Sequence, residues 1–236
     1  ARMALVTARG VDAGNTAADF TGLNFMFKTL PDFFKMVSFT YIMIKSDVTG
    51  ALEDSNRMGL TVSGDTAGVD YRLTYNNYSG EKNGVDQASN MMEAEVGYSM
   101  PDMMNFRVAG LYHSDTGADT DLSTNETYDA FVYDKHNNAG LMDVVSWGNI
   151  TYMKLGLSLE PMDSLKVGFD YYTFTNTTVA AGAKDDVGTE MDIVVEKRYD
   201  DNFAAKLRLG QFAPGDATAV NGDTRNDAML YLTMGF

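Results

Sequence analysis

Residues 226–236 read NDAMLYLTMGF, and their alternation decides the fold. Ala228, Leu230, Leu232, Met234 and Phe236 fall on one side of an extended chain, while Asp227, Tyr231 and Thr233 fall on the other. A period of two is the signature of a strand, because successive side chains leave opposite faces of the pleat. Apolar residues on one face and polar ones on the other suit a strand with lipid outside and a wet lumen inside. A soluble sheet shows the same pattern strand by strand, so the rest of the chain has to repeat it.

It does. The stretch 165–174 sets Leu165, Val167, Phe169 and Tyr171 against Lys166, Gly168, Asp170 and Tyr172. The stretch 203–210 sets Phe203, Ala205, Leu207 and Leu209 against Lys206, Arg208 and Gly210. Val69, Tyr71, Leu73 and Tyr75 oppose Asp70, Arg72 and Thr74, and Ala94, Val96, Tyr98 and Met100 oppose Glu93, Glu95, Gly97 and Ser99. Twelve strands are expected, at about 1–8, 20–28, 33–45, 56–63, 69–78, 90–99, 104–113, 147–159, 165–176, 188–198, 203–212 and 226–236. The stretch 128–146 is expected to hold an extra strand or an inward-folded loop.

The connections carry the second signal. Tight turns are expected at TLPD (29–32), GDTAG (64–68), MPDM (100–103), EPMDS (160–164) and YDDN (199–202). Between them lie long polar loops at about 9–19, 46–55, 79–89, 114–146, 177–187 and 213–225. Short turns on one side and long loops on the other are the habit of outer-membrane barrels. A soluble meander has no reason to keep the two kinds in turn.

Composition agrees with a barrel. No stretch approaches the roughly 20 continuous apolar residues of a spanning helix, and a closed barrel is the other way to satisfy every backbone group in lipid. The 22 Gly, 13 Tyr and 13 Phe against 4 Pro suit a strand-rich chain with aromatic girdles. Cysteine is absent, which excludes a disulfide framework, a thiol nucleophile and a thiolate metal site. A net charge of -15, from 18 Lys and Arg against 33 Asp and Glu, excludes a nucleic-acid partner. The chain opens at ARMALVTARG, a strand already under way, so strands and a signal peptide are expected upstream of Ala1.

The face opposite the apolar one carries eight acids, Asp70, Glu93, Glu95, Asp170, Glu190, Asp192, Glu196 and Asp227, and seven bases, Arg57, Arg72, Arg107, Lys154, Lys166, Lys206 and Arg208. These are the candidate pore-lining residues. The near balance assigns the excess acid to loops and turns. Opposed signs on neighbouring strands have two readings: pairs that stiffen the wall, or a conduit whose charges act on a passing solute. Asp115, Asp119 and Asp121 are hard oxygen donors and weak calcium candidates, without the spacing of a known calcium loop. His113 and His136 have no second His or Cys at metal-ligand spacing, and no nucleophile or convergent carboxylate pair accompanies His113. No metal, no cofactor and no enzymatic activity are expected.

The segment YDAFVYDKHNNAGLMDVVSWGN (128–149) then resembles the alginate-export family of outer-membrane porins, through Phe131, Lys135, His136, Gly140, Met142, Asp143, Trp147, Gly148 and Asn149. The stretches LGLSLEPMDSLKVGFDYYTF (155–174), VGTEMDIVVEKRY (187–199), LRLGQFAPGDA (207–217) and the closing AMLYLTMGF continue the resemblance in order. A terminal aromatic such as Phe236 also resembles the assembly signal of bacterial outer-membrane proteins. The resemblance is closest over residues 90–236. It implies an antiparallel up-and-down transmembrane β-barrel, monomeric and eighteen-stranded, that passes an acidic polysaccharide or small solutes. Twelve strands are fewer, so this single barrel domain is expected to be the later part of a longer barrel or a shortened member. The exporter of that family has a strongly basic constriction, whereas this lining is mixed.

Two functions follow. One is a porin for small polar solutes or a polyanion, seated in outer-membrane lipid and lipopolysaccharide. The other is a barrel occluded by the 114–146 loop, serving as an envelope scaffold, adhesin or housing for a partner.

Overall fold

The computed structural model of the protein describes residues 2–9, 18–27, 31, 33–46, 53–82, 84–117, 124–128, 139–145, 148–200, 202–217 and 222–235. Within them the strands are β1 (Arg2–Arg9), β2 (Ala18–Phe27), β3 (Met36–Ser46), β4 (Glu53–Thr66), β5 (Val69–Lys82), β6 (Val85–Met100) and β7 (Phe106–Asp115). They continue as β8 (Thr124–Asn125), β9 (Ile150–Met162), β10 (Leu165–Asn176), β11 (Asp186–Arg198), β12 (Phe203–Pro214) and β13 (Arg225–Met234). The fold is all-β, a sheet running β1-β2-β3-β4-β5-β6-β7-β9-β10-β11-β12-β13, with each strand antiparallel to its neighbour. The two-residue β8 leaves this path and pairs parallel to β6, Asp86 with Thr124 and Gln87 with Asn125. Among the described residues no pairing joins β1 to β13, so the sheet is an open, curled wall.

Twelve long strands agree with the alternation in the sequence, and the tight turns at 64–68, 100–103 and 160–164 fall where the breakers stand, while TLPD (29–32) and YDDN (199–202) lie partly outside the described residues. Ala67 and Gly68, both at positive φ (49° and 83°), connect β4 to β5, as the right-handed twist of a hairpin requires. Ser164, at φ 61°, turns β9 into β10. One loop was expected and is absent: residues 79–89 form a hairpin in which β5 and β6 stay paired to Lys82 and Val85. The polar composition there marks where the strands leave the apolar layer, not where they end. A transmembrane strand needs roughly 9–11 residues, whereas β6 has 16 and β4 and β5 have 14. Among the described residues within 114–146 the additional strand is β8, just ahead of the expected stretch 128–146, of which residues 129–138 and 146 lie outside the described residues. Phe236 lies outside the described residues, and β13 ends at Met234.

The register fixes two faces. One row across five strands reads Leu157, Phe169, Ile193, Leu209 and Ala228. The next row, on the opposite face, reads Gly156, Asp170, Asp192, Gly210 and Asp227. Solvent exposure is reversed from that of a soluble sandwich. Leu155, Val96 and Leu230 are 49, 54 and 66% exposed, while Glu93, Glu190 and Asp192 are 3, 0 and 1% exposed. Apolar surface this extensive on one face belongs against lipid. The face that holds the buried charges is called inner below.

Candidate channel lining

All fifteen charged residues expected to line a pore share the inner face, because the pairing keeps their parity from β4 through β13. They do not form one uniform surface. On β5, β6 and β7 they make a ladder of alternating sign. Arg107 donates from Nε to Asp70 Oδ2 (3.0 Å) and from Nη2 to Asp70 Oδ1 (2.6 Å), a two-pronged grip of the kind that fixes guanidinium and carboxylate in one plane. The same Nη2 reaches Glu95 Oε1 at 3.0 Å. Arg72 bridges Glu95 Oε2 at 3.1 Å and Glu93 Oε1 at 3.0 Å. Gly97 is where the arginine crosses: a Cβ at that position would lie 2.7 Å from Arg107 Cζ.

Glu93 passes the ladder to the buried His113, whose Nδ1 stands 3.4 Å from Glu93 Oε2 and whose Nε2 stands 3.4 Å from Asp115 Oδ2. Asp115 is the last rung, and it holds backbone: Oδ1 accepts from the Ile150 N–H (2.6 Å) and Oδ2 from the Gly148 N–H (3.2 Å). Both oxygens are therefore committed to anchoring the chain as it returns into β9. Asp119 and Asp121, the other two weak calcium candidates, lie outside the described residues. Among the described residues no group of three or more His, Asp or Glu is placed to hold a metal ion.

Residues 139–145 and 148–149 lie against the inner face and are fastened there. Met142 N–H donates to Glu190 Oε1 (2.9 Å) and Leu141 N–H to Asp192 Oδ2 (3.1 Å). Gly140, at φ 91°, sits so close to the Glu190 carboxyl that no side chain fits between them. Asp143 and Asn149 also take positive φ (51° and 64°), and Asn149 exchanges two hydrogen bonds with the Thr178 backbone. Earlier in the connection, Tyr128 N–H donates to Thr116 O (3.0 Å), and the Tyr128 hydroxyl accepts from Asn76 Nδ2 (3.3 Å). Lys135, His136 and Trp147 lie outside the described residues.

Beneath this segment is an apolar cluster of Leu111, Val145, Ile150, Tyr152, Tyr172, Phe174 and Phe212, with Met142 and Val144 against it. His113 stacks on Tyr152 (4.6 Å) and Tyr172 on Phe174 (5.6 Å). Of these aromatics the sequence pattern places Tyr172 on the charged face, beside Lys166, Gly168 and Asp170, and leaves Tyr152, Phe174 and Phe212 unassigned. The signal was present, since Tyr152, Tyr172, Phe174 and Phe212 have the same parity as the charges around them. Aromatics facing a lumen need something to pack against, and here they hold the loop.

The remaining candidates are placed as follows. Lys154 lies 5.9 Å over the Tyr172 ring, and Asp170 faces Asp192 in register. Lys166 and Lys206 flank Glu196 in one row, with Lys206 Nζ 3.5 Å from Glu196 Oε2. Arg208 lies 5.1 Å over the Tyr231 ring, Arg57 lies 4.4 Å over the Tyr78 ring, and Asp227 is exposed on β13.

An antiparallel wall with lipid-type side chains outside and charged groups inside is the build of a bacterial outer-membrane β-barrel protein. The chain belongs to the alginate-export family, whose model, described as "Alginate export", matches residues 43–231. Among solved structures it is similar to OccK5 (OpdH) of Pseudomonas aeruginosa, with a TM-score of 0.59 and 13% identity over 93% of this chain and 59% of that one. It is also similar to OccK11 (OpdR) of the same organism, with a TM-score of 0.54 and 8% identity over 99% of this chain and 71% of that one. A NanC porin aligns at a TM-score of 0.45 and 10% identity, over 99% of this chain and 100% of that one. At these identities the likeness is one of fold. The chain spans 59% of the OccK5 length. No curated protein matches. The family and the fold place the protein in the bacterial outer membrane.

Proposed function

We propose that the protein is a passive channel for small polar solutes or an anionic polysaccharide, with the inner charges forming the conduit wall. The observation that carries this reading is the ladder Asp70–Arg107–Glu95–Arg72–Glu93, an alternating row of paired charges on a face against which, among the described residues, no second sheet packs. Paired charges keep a wall polar without a deep well for either sign, which favours small polar solutes over selective capture of a polyanion. The expected surroundings are outer-membrane lipid and lipopolysaccharide, with the barrel acting as a monomer. Full-length protein refolded into planar bilayers should give discrete conductance steps in KCl. A folded protein that gives none removes this reading.

One observation favours the other function. Residues 139–145 are bonded to Glu190 and Asp192 and packed on the aromatic cluster, as expected for a permanent filling. Under that reading the barrel is an envelope scaffold or a housing for a partner, and the same bilayer experiment is silent.

A further inference from the structure

The wall of β3, β4 and β5 is hollowed into a cavity of about 280 Å³ that the charge ladder does not fill. Its chemistry differs from that of the ladder. Thr61 and Thr74 bring their hydroxyl oxygens to 3.3 Å from each other on the floor. Asn76 lies across Gly59, where a Cβ would meet its Oδ1 at 2.6 Å, and the glycine thereby leaves room for the amide to turn its nitrogen to Tyr128. Tyr128 also lines it, its hydroxyl held by Asn76. Ile42 and the Tyr78 ring supply apolar lining.

The two cations at this cavity are engaged. Arg72 is bridged to Glu93 and Glu95, so an incoming carboxylate at that end meets two acids. The Arg57 guanidinium lies over the Tyr78 ring. A purely apolar guest would cover the threonine hydroxyls and the Asn76 amide without replacing their hydrogen bonds, at a cost for each. What matches hydroxyl and amide groups on one side, an aliphatic and an aromatic face on the other, and this volume is one polyhydroxylated six-membered ring.

We propose that this cavity is a binding station for a single uncharged sugar ring. The proposal rests on the channel reading and specifies a solute class for it. A ring held there touches Tyr128 and Asn76, which are hydrogen-bonded to each other across the cavity lining.

The test uses full-length protein in planar bilayers with glucose as the probe, glucuronate as the charged arm and raffinose as the oversized arm. Glucose should produce brief, saturable blockades of the ion current, with glucuronate no more potent and raffinose weaker. Asn76→Ala and the isosteric Thr74→Val should each raise the half-blocking glucose concentration about tenfold, the worth of one or two lost hydrogen bonds. The lipid-face variant Met153→Leu should leave it unchanged. Blockade by glucuronate alone overturns the proposal in favour of an anion site at Arg57. A protein that conducts but gives no glucose blockade, and no saturation transfer from protein to glucose by NMR in micelles, overturns the proposal with the channel reading intact. If no conductance is seen, the channel reading fails and the NMR experiment alone decides: transfer that Asn76→Ala abolishes sustains the cavity, and no transfer ends it.

Discussion

The inner face divides into two regions built on one parity. On β5 to β7, toward the tight turns, charged side chains pair with one another and remain partly open, with Arg72, Arg107 and Asp70 between 32 and 39% exposed. On β7 and β9 to β12, toward the long connections, carboxylates receive backbone N–H groups and aromatics receive Val145 and Ile150, and the groups are closed off from solvent. The ladder spends its charges on side chains; the latch spends them on a loop. A wall that satisfies its own charges leaves free space beside it, whereas a wall that satisfies another segment's backbone is covered by that segment. Asp115 belongs to both, as the last rung of the ladder and the first anchor of the latch.

The largest test of this contrast is Phe174→Ala. Phe174 is fully buried and touches Tyr152, Tyr172 and Phe212. Truncating a buried phenylalanine costs roughly 3–5 kcal/mol when the site cannot collapse. The loss should appear as earlier thermal unfolding of residues 139–145 and as larger, noisier conductance steps, because Met142, Val144 and Val145 lose their seat. Conductance and loop protection equal to the parent would mean that the cluster does not hold the loop. Asp115→Ala comes next. It removes the acceptor for the Gly148 and Ile150 N–H groups, worth about 1–3 kcal/mol for buried donors left without a partner. Hydrogen exchange at those two amides should accelerate at least about tenfold, and amides within β5 should not change.

The parts of this architecture that repeat with period two were legible in the sequence. The strand pattern and the faces of all fifteen charged candidates follow from alternation, because a sheet in lipid allows no slip of register without turning charges outward. The hairpin at 79–89 was misread as a loop because polarity was equated with loop, although a strand above the hydrocarbon layer needs no apolar side. The latch was visible only in part. Gly140, Asp143, Gly148 and Asn149 stand in the motif that carried the family resemblance, yet their role depends on positive φ and on carboxylates about fifty residues away in sequence, Glu190 and Asp192. No local period encodes such a contact. The cavity at Gly59, Thr74 and Asn76 was likewise hidden, since uncharged polar residues on an inner face carry no signal until the register places them together.

Within the ladder, Arg107→Gln should act on selectivity more than on stability. It leaves Asp70 and Glu95 with less opposing charge on a partly open wall. An uncompensated charge about 4 Å from an ion's path contributes about 1 kcal/mol in water, roughly a fivefold change in the permeability ratio. The reversal potential in a KCl gradient should move toward cations. An unchanged value places the ladder outside the conduit.

Lys206→Gln is the smallest change and the finest discriminator. It removes the same unit of charge from the inner face, but among the described residues Lys206 meets one carboxylate, Glu196, at 3.5 Å, where Arg107 grips two, at 2.6 and 3.0 Å. Its field should therefore be screened by salt to a degree that the Arg107 grip resists. The Debye length is about 10 Å at 0.1 M and about 3 Å at 1 M, so the shift toward cations should be visible at the lower concentration, below about twofold, and should vanish at the higher one. A Lys206→Gln shift as large as that of Arg107→Gln at 1 M KCl would mean that selectivity follows net inner charge and that the ordered ladder contributes nothing of its own. A shift confined to low salt, beside one for Arg107→Gln that persists, would assign selectivity to the position of the ladder.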